Sequence, residues 1–294
     1  MLLRALLVAA VALSAPAPTA RVATGSNPCG AAAGFGSVWV ANYGSGTLAR
    51  VDPRTNRVTA RIRVGRGACA VALAGGMLWV TNDRTGEILR VDPRTRSVRR
   101  IAVGGAPFGL VAAAGHVWAT TWSKGTVVEI DPVSARVVRT IEVGGYPAGL
   151  AFAAGALWVG FSRDATAIAR VDPASAAVER IDVGARTPAT FARGTGDTLW
   201  VDVADSDLVR VDARARRVVA RLHVGHTLAQ GTRAADGTLW IPDKEVDAVY
   251  RIDPRTNKVR GSFPAGDGAF HVLRAFGSMW VTSYAGADVW RFKG

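Results

Sequence analysis

The sequence is poor in the residues on which several classes of site depend. It has 2 cysteines, 4 histidines and 3 methionines in 294 residues. Cys29 and Cys69 form no Cys-x-x-Cys pair, and no cysteine or histidine spacing is typical of a zinc site. A glycine-rich phosphate loop and a nucleophile motif are also missing from the chain. The sequence therefore gives no support to redox, zinc, nucleotide-phosphate or nucleophile chemistry.

Apolar runs of membrane-spanning length are also lacking. The N-terminal MLLRALLVAAVALSAPAPTA has one cation, Arg4, an apolar run over residues 5–13, and then small residues and prolines. That order is typical of a secretory signal peptide, and the run is shorter than the roughly 20 residues of a spanning helix. We predict a signal peptide at residues 1–20 and one exported domain at residues 21–294. The expected location is secreted or extracytoplasmic, without a membrane span.

Acidic residues are fewer than basic ones. The 36 Lys and Arg against 23 Asp and Glu give a net charge of +13, while 49% hydrophobic and 20% charged residues are ordinary for a globular chain. Arginines are frequent in the segments expected to be outer strands, where they could attract polyanions or prevent edge-to-edge strand pairing. We expect weak polyanion affinity at most, and a monomer.

Tryptophan marks a repeat that fills most of the chain. Successive copies are separated by 40, 39, 40, 42, 40 and 40 residues, and each tryptophan sits in a short apolar run, at Trp39, Trp79, Trp118, Trp158, Trp200, Trp240 and Trp280. One copy contains four strand-like pieces: FGLVAAAG, HVWATTW, GTVVEIDP and RVVRTIEVG. Seven copies of four short strands predict an all-β, seven-bladed β-propeller with four antiparallel strands per blade.

The strand pattern agrees with this prediction. In RVTARIRVG, apolar and polar residues alternate as in a half-exposed outer strand, whereas GLVAAAG and GLAFAAG are small and apolar, as expected where first strands crowd a central channel. The last copy lacks its outer strand. We predict that residues 21–25 pair with residues 287–292 and close the ring.

The segment LWVTN at residues 78–82, followed by ILRVDPRT, resembles the YVTN-repeat β-propellers, with tryptophan in place of tyrosine. The Pro-x-Gly-Leu and Leu-Trp-Val patterns are similar to those of NHL-type and streptogramin B lyase propellers. The resemblance covers residues 21–294 and implies the propeller fold. It implies no single function, because propellers carry enzymes, sensors and binding modules alike.

The two faces of the predicted propeller differ in sequence. The Asp-Pro turns between third and fourth strands repeat almost unchanged, which a structural turn explains. The loops that follow the tryptophan strands differ in every copy, so we predict the binding site on this variable face. A small polar, partly aromatic ligand or a protein partner would contact the aromatic and cationic residues expected there: Tyr43, Arg84, Trp122, Tyr146, Phe161, Arg186, Phe270 and Tyr284.

An alternative is a metal-dependent lyase or hydrolase at the same mouth. The similarity to streptogramin B lyases implies a histidine at the channel mouth and glutamate-held magnesium that open a lactone by C–O elimination. His271 would be the base and His226 would assist, while Asp243, Glu245 or Asp267 would hold magnesium or calcium. The sequence lacks the glutamates that this resemblance implies after the tryptophan strands. Taken alone, each histidine is more often a solvated loop residue.

The two cysteines occupy the same place in adjacent repeats, ten residues before their tryptophans. A disulfide between neighbouring first strands is one interpretation, if their Cα atoms approach within about 7 Å. Packing as small apolar side chains is the other.

Overall fold

The computed structural model describes residues 16–163, 165–184, 186, 191–193, 197–203 and 206–294, with the backbone alone for 191–193. Residues 1–15 of the expected signal peptide lie outside this part. Seven four-stranded antiparallel sheets form the predicted propeller, and the described residues contain no α-helix. Among them, no helix has the length and apolar character needed to cross a membrane.

Blades 1 to 4 follow the chain order, first strand innermost. Blade 1 contains β2 (Pro28–Gly34), β3 (Ser37–Asn42), β4 (Thr47–Asp52) and β5 (Arg57–Arg63). Blade 2 contains β6 (Ala68–Ala74), β7 (Met77–Asn82), β8 (Glu87–Val91) and β9 (Val98–Ala102). Blade 3 contains β10 (Pro107–Ala113), β11 (His116–Thr121), β12 (Thr126–Asp131) and β13 (Arg136–Glu142). Blade 4 contains β14 (Pro147–Ala153), β15 (Ala156–Phe161), β16 (Ala167–Val171) and β17 (Val178–Asp182).

Blades 5 to 7 complete the ring. Blade 5 contains β18 (Phe191–Arg193), β19 (Thr198–Val203), β20 (Asp207–Asp212) and β21 (Arg217–His223). Blade 6 contains β22 (Thr232–Arg233), β23 (Leu239–Asp243), β24 (Ala248–Asp253) and β25 (Lys258–Pro264). Blade 7 contains β26 (Ala269–Ala275), β27 (Ser278–Ser283), β28 (Asp288–Lys293) and, as its outer strand, β1 (Pro18–Ala23).

The ring closes as the sequence predicts. The strand β1 pairs antiparallel with β28, with Val22 opposite Val289 and Ala23 opposite Asp288. The pairing extends towards the N-terminus to Pro18, beyond the predicted start at residue 21. The backbone N–H groups of Thr24 and Gly25 both donate to the Ala287 carbonyl oxygen. The outer edge of the last blade is therefore covered by the chain's own N-terminal strand.

The tryptophans that mark the repeat are packing residues. All seven are buried, at most 4% exposed, and the apolar side chains between neighbouring sheets form the core around them. In six blades the residue opposite the tryptophan on the third strand is an arginine: Arg50, Arg90, Arg170, Arg210, Arg251 and Arg291. Blade 3 has Glu129 at this position and pairs it with Arg139 of the outer strand at 2.7 Å.

The paired arginines also join neighbouring blades. Arg291 and Arg210 each donate to a backbone carbonyl and to an asparagine side chain in the Asp-Pro turn of the next blade; we call this pattern the inter-blade arginine contact. Its acceptors are Pro53 O and Asn56 Oδ1 at 2.6 and 2.8 Å, and Pro254 O and Asn257 Oδ1 at 2.9 and 3.1 Å. Arg139 of blade 3 likewise donates to the Pro173 and Ala174 carbonyl oxygens of blade 4.

Candidate functional site

The residue three places after each tryptophan is buried in every blade. These residues end the second strands, and each is at most 7% exposed: Asn42, Asn82, Thr121, Phe161, Val203, Asp243 and Ser283. Asn42, Asn82 and Asp243 hold the variable-face loops, as when Asn82 donates to the Val64 carbonyl oxygen at 3.0 Å. Ser283 Oγ, by contrast, is buried without a hydrogen-bond partner among the described residues. Phe161, with no exposed surface, packs in the apolar core between blades. Its ring therefore forms no part of the mouth surface.

A first aromatic group spans blades 7, 1 and 2 on the variable face. The Tyr284 ring lies 5.2 Å from Phe270 and 6.1 Å from Tyr43. The Tyr43 hydroxyl donates to Asp83 Oδ2 at 3.0 Å, and the Arg84 guanidinium lies 5.2 Å from the Tyr43 ring centre. Burial raises the pKa of the Asp83 carboxyl and of the Tyr284 hydroxyl. The structure thus brings together four of the predicted ligand-binding residues.

A second aromatic group lies over blades 3 and 4. The Trp122 and Tyr146 rings are 4.8 Å apart, and the Trp122 indole N–H donates to Ser162 Oγ at 2.6 Å. The Arg163 guanidinium covers both rings, 4.9 Å from the Trp122 centre and 5.5 Å from the Tyr146 centre. Stacking on aromatic faces holds a guanidinium in a fixed orientation while its N–H edge stays available.

A cavity of about 380 Å³ separates the two aromatic groups. Its walls come from the loops of blades 2, 3 and 4, and it is lined by Asp83, Arg84, Ala106, Phe108, Trp122, Ala148 and Ser162. The lining combines aromatic faces, a guanidinium, a carboxylate and a hydroxyl, as ligand sites commonly do. We call this cavity and the two aromatic groups the aromatic–arginine surface.

Sequence reasoning missed Phe108 and Ser162. Phe108 follows Pro107 at the start of a first strand, the place that Phe270 holds in blade 7. That shared repeat position was the available signal. No sequence signal pointed to Ser162, because it belongs to the site only through the hydrogen bond that it accepts from the Trp122 indole of the preceding blade. Arg186, predicted for the same surface, is exposed, and residues 185 and 187–190 beside it lie outside the described part.

His271 lies in the wall of the central channel. It takes the place where Gly30 stands in blade 1, a position at which a Cβ atom would approach the neighbouring Cys69 carbonyl oxygen to 2.6 Å. Its Nδ1 accepts the Ala31 backbone N–H at 3.1 Å, across the junction of the last and first blades. Burial lowers its pKa to about 4, so the imidazole is neutral at pH 7. The channel beside it encloses about 70 Å³ between Phe108, Phe270 and the first strands.

The predicted metal ligands Asp243 and Glu245 already accept hydrogen bonds from protein groups, and Asp267 is not grouped with them. The buried Asp243 carboxylate accepts the backbone N–H groups of His226, Thr227 and Glu245 at 2.6 to 3.1 Å. Glu245 accepts the Thr227 hydroxyl at 2.7 Å, and Asp267 is exposed. Within the described ranges, no three His, Cys, Asp or Glu side chains are grouped to hold a metal ion. The donor set therefore does not fit a magnesium or calcium site.

His226 lies on the same face as His271 but stays in the loop. Its side chain is 59% exposed, and its Nδ1 is 3.8 Å from Asp243 Oδ2. No described hydrogen bond or ion pair joins the two histidines. The backbone of Gln230 instead forms hydrogen bonds with Phe270 and Val272, on either side of His271. The arrangement is that of two independent groups.

The cysteines are joined at the channel mouth. Cys29 and Cys69 form a disulfide with their Cα atoms 4.9 Å apart. It links the first strands of blades 1 and 2, and Cys69 contributes to the channel wall. Of the two interpretations open from the sequence, the structure has the bridge.

No protein-family model and no curated protein sequence matches the chain. Solved structures do match its fold. They include a streptogramin B lyase, 14% identical with a TM-score of 0.80, covering 92% of this chain and 94% of that one. A catalytically inactive histidine-to-alanine variant of virginiamycin B lyase from Staphylococcus aureus with quinupristin is 16% identical, with a TM-score of 0.77 and coverage of 92% and 96%. Hydrazine synthase of Kuenenia stuttgartiensis is 16% identical, with a TM-score of 0.78 and the same coverages, 92% and 96%.

These likenesses show the fold that this chain shares with streptogramin B lyase-like propellers. At 14 to 16% identity they carry no activity over to it. Membership of the YVTN or NHL repeat families stays a prediction.

Proposed function

We propose that this propeller is an exported binding module that takes up a small polar ligand with an aromatic part on its variable face. The observation that carries the proposal is the cavity between Arg84 and Trp122, with Phe108 as its apolar wall. A ring lying against Trp122 and Phe108 would bury apolar area, and polar atoms of the same ligand would meet Arg84 and Ser162.

The two guanidiniums give this surface its polarity. In the described part of the chain, neither Arg84 nor Arg163 lies within ion-pair distance of a carboxylate, and both are stacked on aromatic rings. Asp83, the carboxylate nearest Arg84, already accepts the Tyr43 hydroxyl. The surface therefore favours ligands that bring hydrogen-bond acceptors, above all carboxylates.

The cavity favours a small molecule over a protein partner as the first ligand. A protein docking here would have to insert a side chain into about 380 Å³ between three blades, whereas a free aromatic acid fills such a volume by itself. A protein partner remains the outcome to pursue if small aromatic compounds do not bind.

The test compares aromatic probes of similar size and three charges: phenylacetate, benzyl alcohol and phenethylamine. Binding is measured by calorimetry and by tryptophan fluorescence, because Trp122 is partly exposed and lines the cavity, whereas the blade tryptophans are buried and the partly exposed Trp290 does not line it. We expect phenylacetate to bind most tightly, with at least tenfold loss in Arg84→Gln and in Trp122→Leu. Arg66→Gln is the matched control, since Arg66 is exposed on the same face but does not line the cavity. Absence of binding by all three probes would contradict the proposal.

A second candidate, a lyase acting at the channel, is supported by His271. Its imidazole is kept neutral by burial, and the virginiamycin B lyase structure is of a variant that is inactive after loss of a histidine. In this chain the neutral His271 accepts a hydrogen bond at Nδ1, so its proton is on Nε2. Proton abstraction would first require that hydrogen bond to be released.

Chromatography with mass spectrometry tests this candidate on quinupristin. Elimination opens the lactone without a change of mass, whereas hydrolysis adds the mass of one water. A new product of unchanged mass that disappears in His271→Gln would support the lyase. Intact quinupristin after prolonged incubation with and without magnesium would leave the binding module as the function.

A further inference from the structure

The junction between blades 4 and 5 lacks the inter-blade arginine contact. Arg170 of β16 lies opposite Trp158, as Arg291 lies opposite Trp280. The turn that it faces in blade 5 has Ala213 and Arg216 where the contacted turns have a proline and an asparagine. A guanidinium offers only donors, so Arg216 cannot replace the asparagine oxygen that the contact needs.

The Arg170 side chain also makes no hydrogen bond within the described residues of its own blade. Arg50 of blade 1 also faces an arginine, Arg96, but it donates to Ser37 Oγ at 2.8 Å. The residue of blade 4 that corresponds to Ser37 is Ala156. In the part of the chain that the structure describes, the partly buried Arg170 side chain accordingly makes no hydrogen bond or ion pair.

A cavity of about 430 Å³ lies where the contact would be, on the face opposite the aromatic–arginine surface. Arg170, Arg214 and Arg216 line it, together with Asp197, Ala213 and the Ala154–Gly155 turn. Arg214 is paired with Asp197, and Arg216 lies 3.2 Å from Glu179. The Asp172 carboxylate near Arg170 accepts the backbone N–H groups of Ala174 and Ser175. Each carboxylate around the cavity thus has a partner other than Arg170.

The missing arginine contact between blades 4 and 5 differs from the missing contact between blades 2 and 3. There Arg90 Nε is also buried without a hydrogen bond, but the residue at the asparagine position is Ala135, which is 3% exposed and adds no charge. At blade 5 the corresponding residue is a second guanidinium beside an open cavity. At the junction of blades 4 and 5, a guanidinium without a hydrogen-bond partner among the described residues therefore stands beside space for a ligand.

We propose that this cavity is an oxyanion site that binds a phosphate or sulfate group between Arg170, Arg214 and Arg216. The planar donors of a guanidinium match two oxygens of a tetrahedral oxyanion, and hydrogen bonds between charged groups are about twice as strong as neutral ones. A bound oxyanion would supply Arg170 with acceptors, among them a replacement for the asparagine oxygen that the turn of blade 5 lacks. It would also reduce the repulsion between Arg170 and Arg216.

Thermal unfolding with inorganic phosphate tests the site. A ligand that binds only the native state raises the melting temperature in a saturable way. Because the chain has a net charge of +13, any anion will stabilise it somewhat. Phosphate is therefore compared with chloride at constant ionic strength, in the wild type and in the matched variants Arg170→Gln and Arg210→Gln.

The two variants are expected to behave in opposite ways. Arg170→Gln should lose the saturable phosphate shift, yet match or exceed the wild type in melting temperature without phosphate, because it removes an unpaired guanidinium. Arg210→Gln should melt lower without phosphate, because Arg210 makes the inter-blade contact, and should keep the full shift. An equal phosphate shift in wild type and Arg170→Gln would overturn the proposal.

Further titrations separate the sources of the oxyanion. Inorganic phosphate, sulfate and glycerol 3-phosphate share the tetrahedral group, and we expect each to give a shift that requires Arg170. If glycerol 3-phosphate gives half of its maximal melting-temperature shift at a concentration at least tenfold lower than inorganic phosphate does, the site is assigned to a phosphorylated ligand. Citrate is the planar-carboxylate comparison, and a citrate shift as large as that of phosphate would overturn the assignment to tetrahedral oxyanions.

Discussion

The Arg291 guanidinium donates to the Pro53 carbonyl oxygen at 2.6 Å and thereby joins the last blade to the first. The same Nη1 reaches Asn56 Oδ1 at 2.8 Å. Charge-assisted hydrogen bonds of this kind contribute about 1.5–3 kcal/mol each when partly buried. We expect Arg291→Ala to lower the free energy of unfolding by about 2–4 kcal/mol, measured by urea denaturation.

A double-mutant cycle shows how much of this loss of stability comes from the contact between Arg291 and Asn56, which joins the last blade to the first. Asn56→Gly removes the acceptor and suits the backbone, because Asn56 has a φ of 55°, in the left-handed region. The two substitutions should be coupled by about 1 kcal/mol or more, since they remove the same interaction. Additive effects would mean that the Asn56 contact contributes nothing, and that Arg291 acts through the Pro53 carbonyl oxygen and through Trp280 and Ser278.

The repeat made the fold predictable, because one tryptophan per blade and a missing outer strand together required ring closure. The residues of the site were harder to predict than the fold, as Phe161 and Asp243 show. Both were predicted on the mouth because they stand beside variable loops, yet both are the third residue after a blade tryptophan and fully buried. Comparison of that position across the repeats, where Asn42 and Thr121 are equally buried, was needed to place them.

The inter-blade contacts could not be predicted from the sequence in the same way. The arginine opposite six of the seven tryptophans appears in the repeat, but the partners of Arg291 and Arg210 lie in the next blade, at a distance set by sheet twist and by how the sheets pack. Glu129 of blade 3 illustrates this. It looks like a break in the pattern, and only the structure shows Arg139 restoring the contact to blade 4 from the outer strand.

The disulfide between Cys29 and Cys69 should contribute substantially to stability. It closes a loop of 40 residues, for which chain entropy gives about 4 kcal/mol. Reduction should therefore lower the melting temperature of the wild type. The Cys29→Ala, Cys69→Ala variant should melt at the reduced value and be insensitive to reductant; a wild type that melts equally with and without reductant would contradict this.

Tyr43 should stabilise the Asp83 carboxylate. The Tyr43 hydroxyl is the donor to Oδ2, while Oδ1 is buried without a hydrogen-bond partner among the described residues. Tyr43→Phe should therefore lower the free energy of unfolding at pH 7 by about 1–3 kcal/mol. Burial already raises the Asp83 pKa, and the Tyr43 hydrogen bond lowers it, so the variant's deficit should shrink as acid protonates Asp83.

Tyr284→Phe is the matched control on the same surface. The Tyr284 hydroxyl makes no hydrogen bond in the described residues, and its ring packs against Tyr43 and Phe270 through contacts that phenylalanine retains. We expect a change below about 0.5 kcal/mol. Equal losses in the two variants, unaffected by pH, would mean that ring packing alone holds this part of the surface.

His271 should make the protein less stable in mild acid. Burial lowers its pKa from 6.5 to about 4 in the native state, so between these values the unfolded chain binds more protons than the native chain. Stability must therefore fall as pH decreases through this interval, by up to about 1.4 kcal/mol per pH unit, or about 2 kcal/mol between pH 7 and pH 5.

Denaturation curves at pH 7, 6 and 5 for the wild type and His271→Gln isolate this contribution. Glutamine keeps an acceptor for the Ala31 N–H but takes up no proton, so the variant should lose less stability than the wild type over this range. His226→Gln, with a side chain that is 59% exposed, should follow the wild type. Parallel profiles for all three proteins would show that the folded channel does not lower the pKa of His271, which would contradict this prediction.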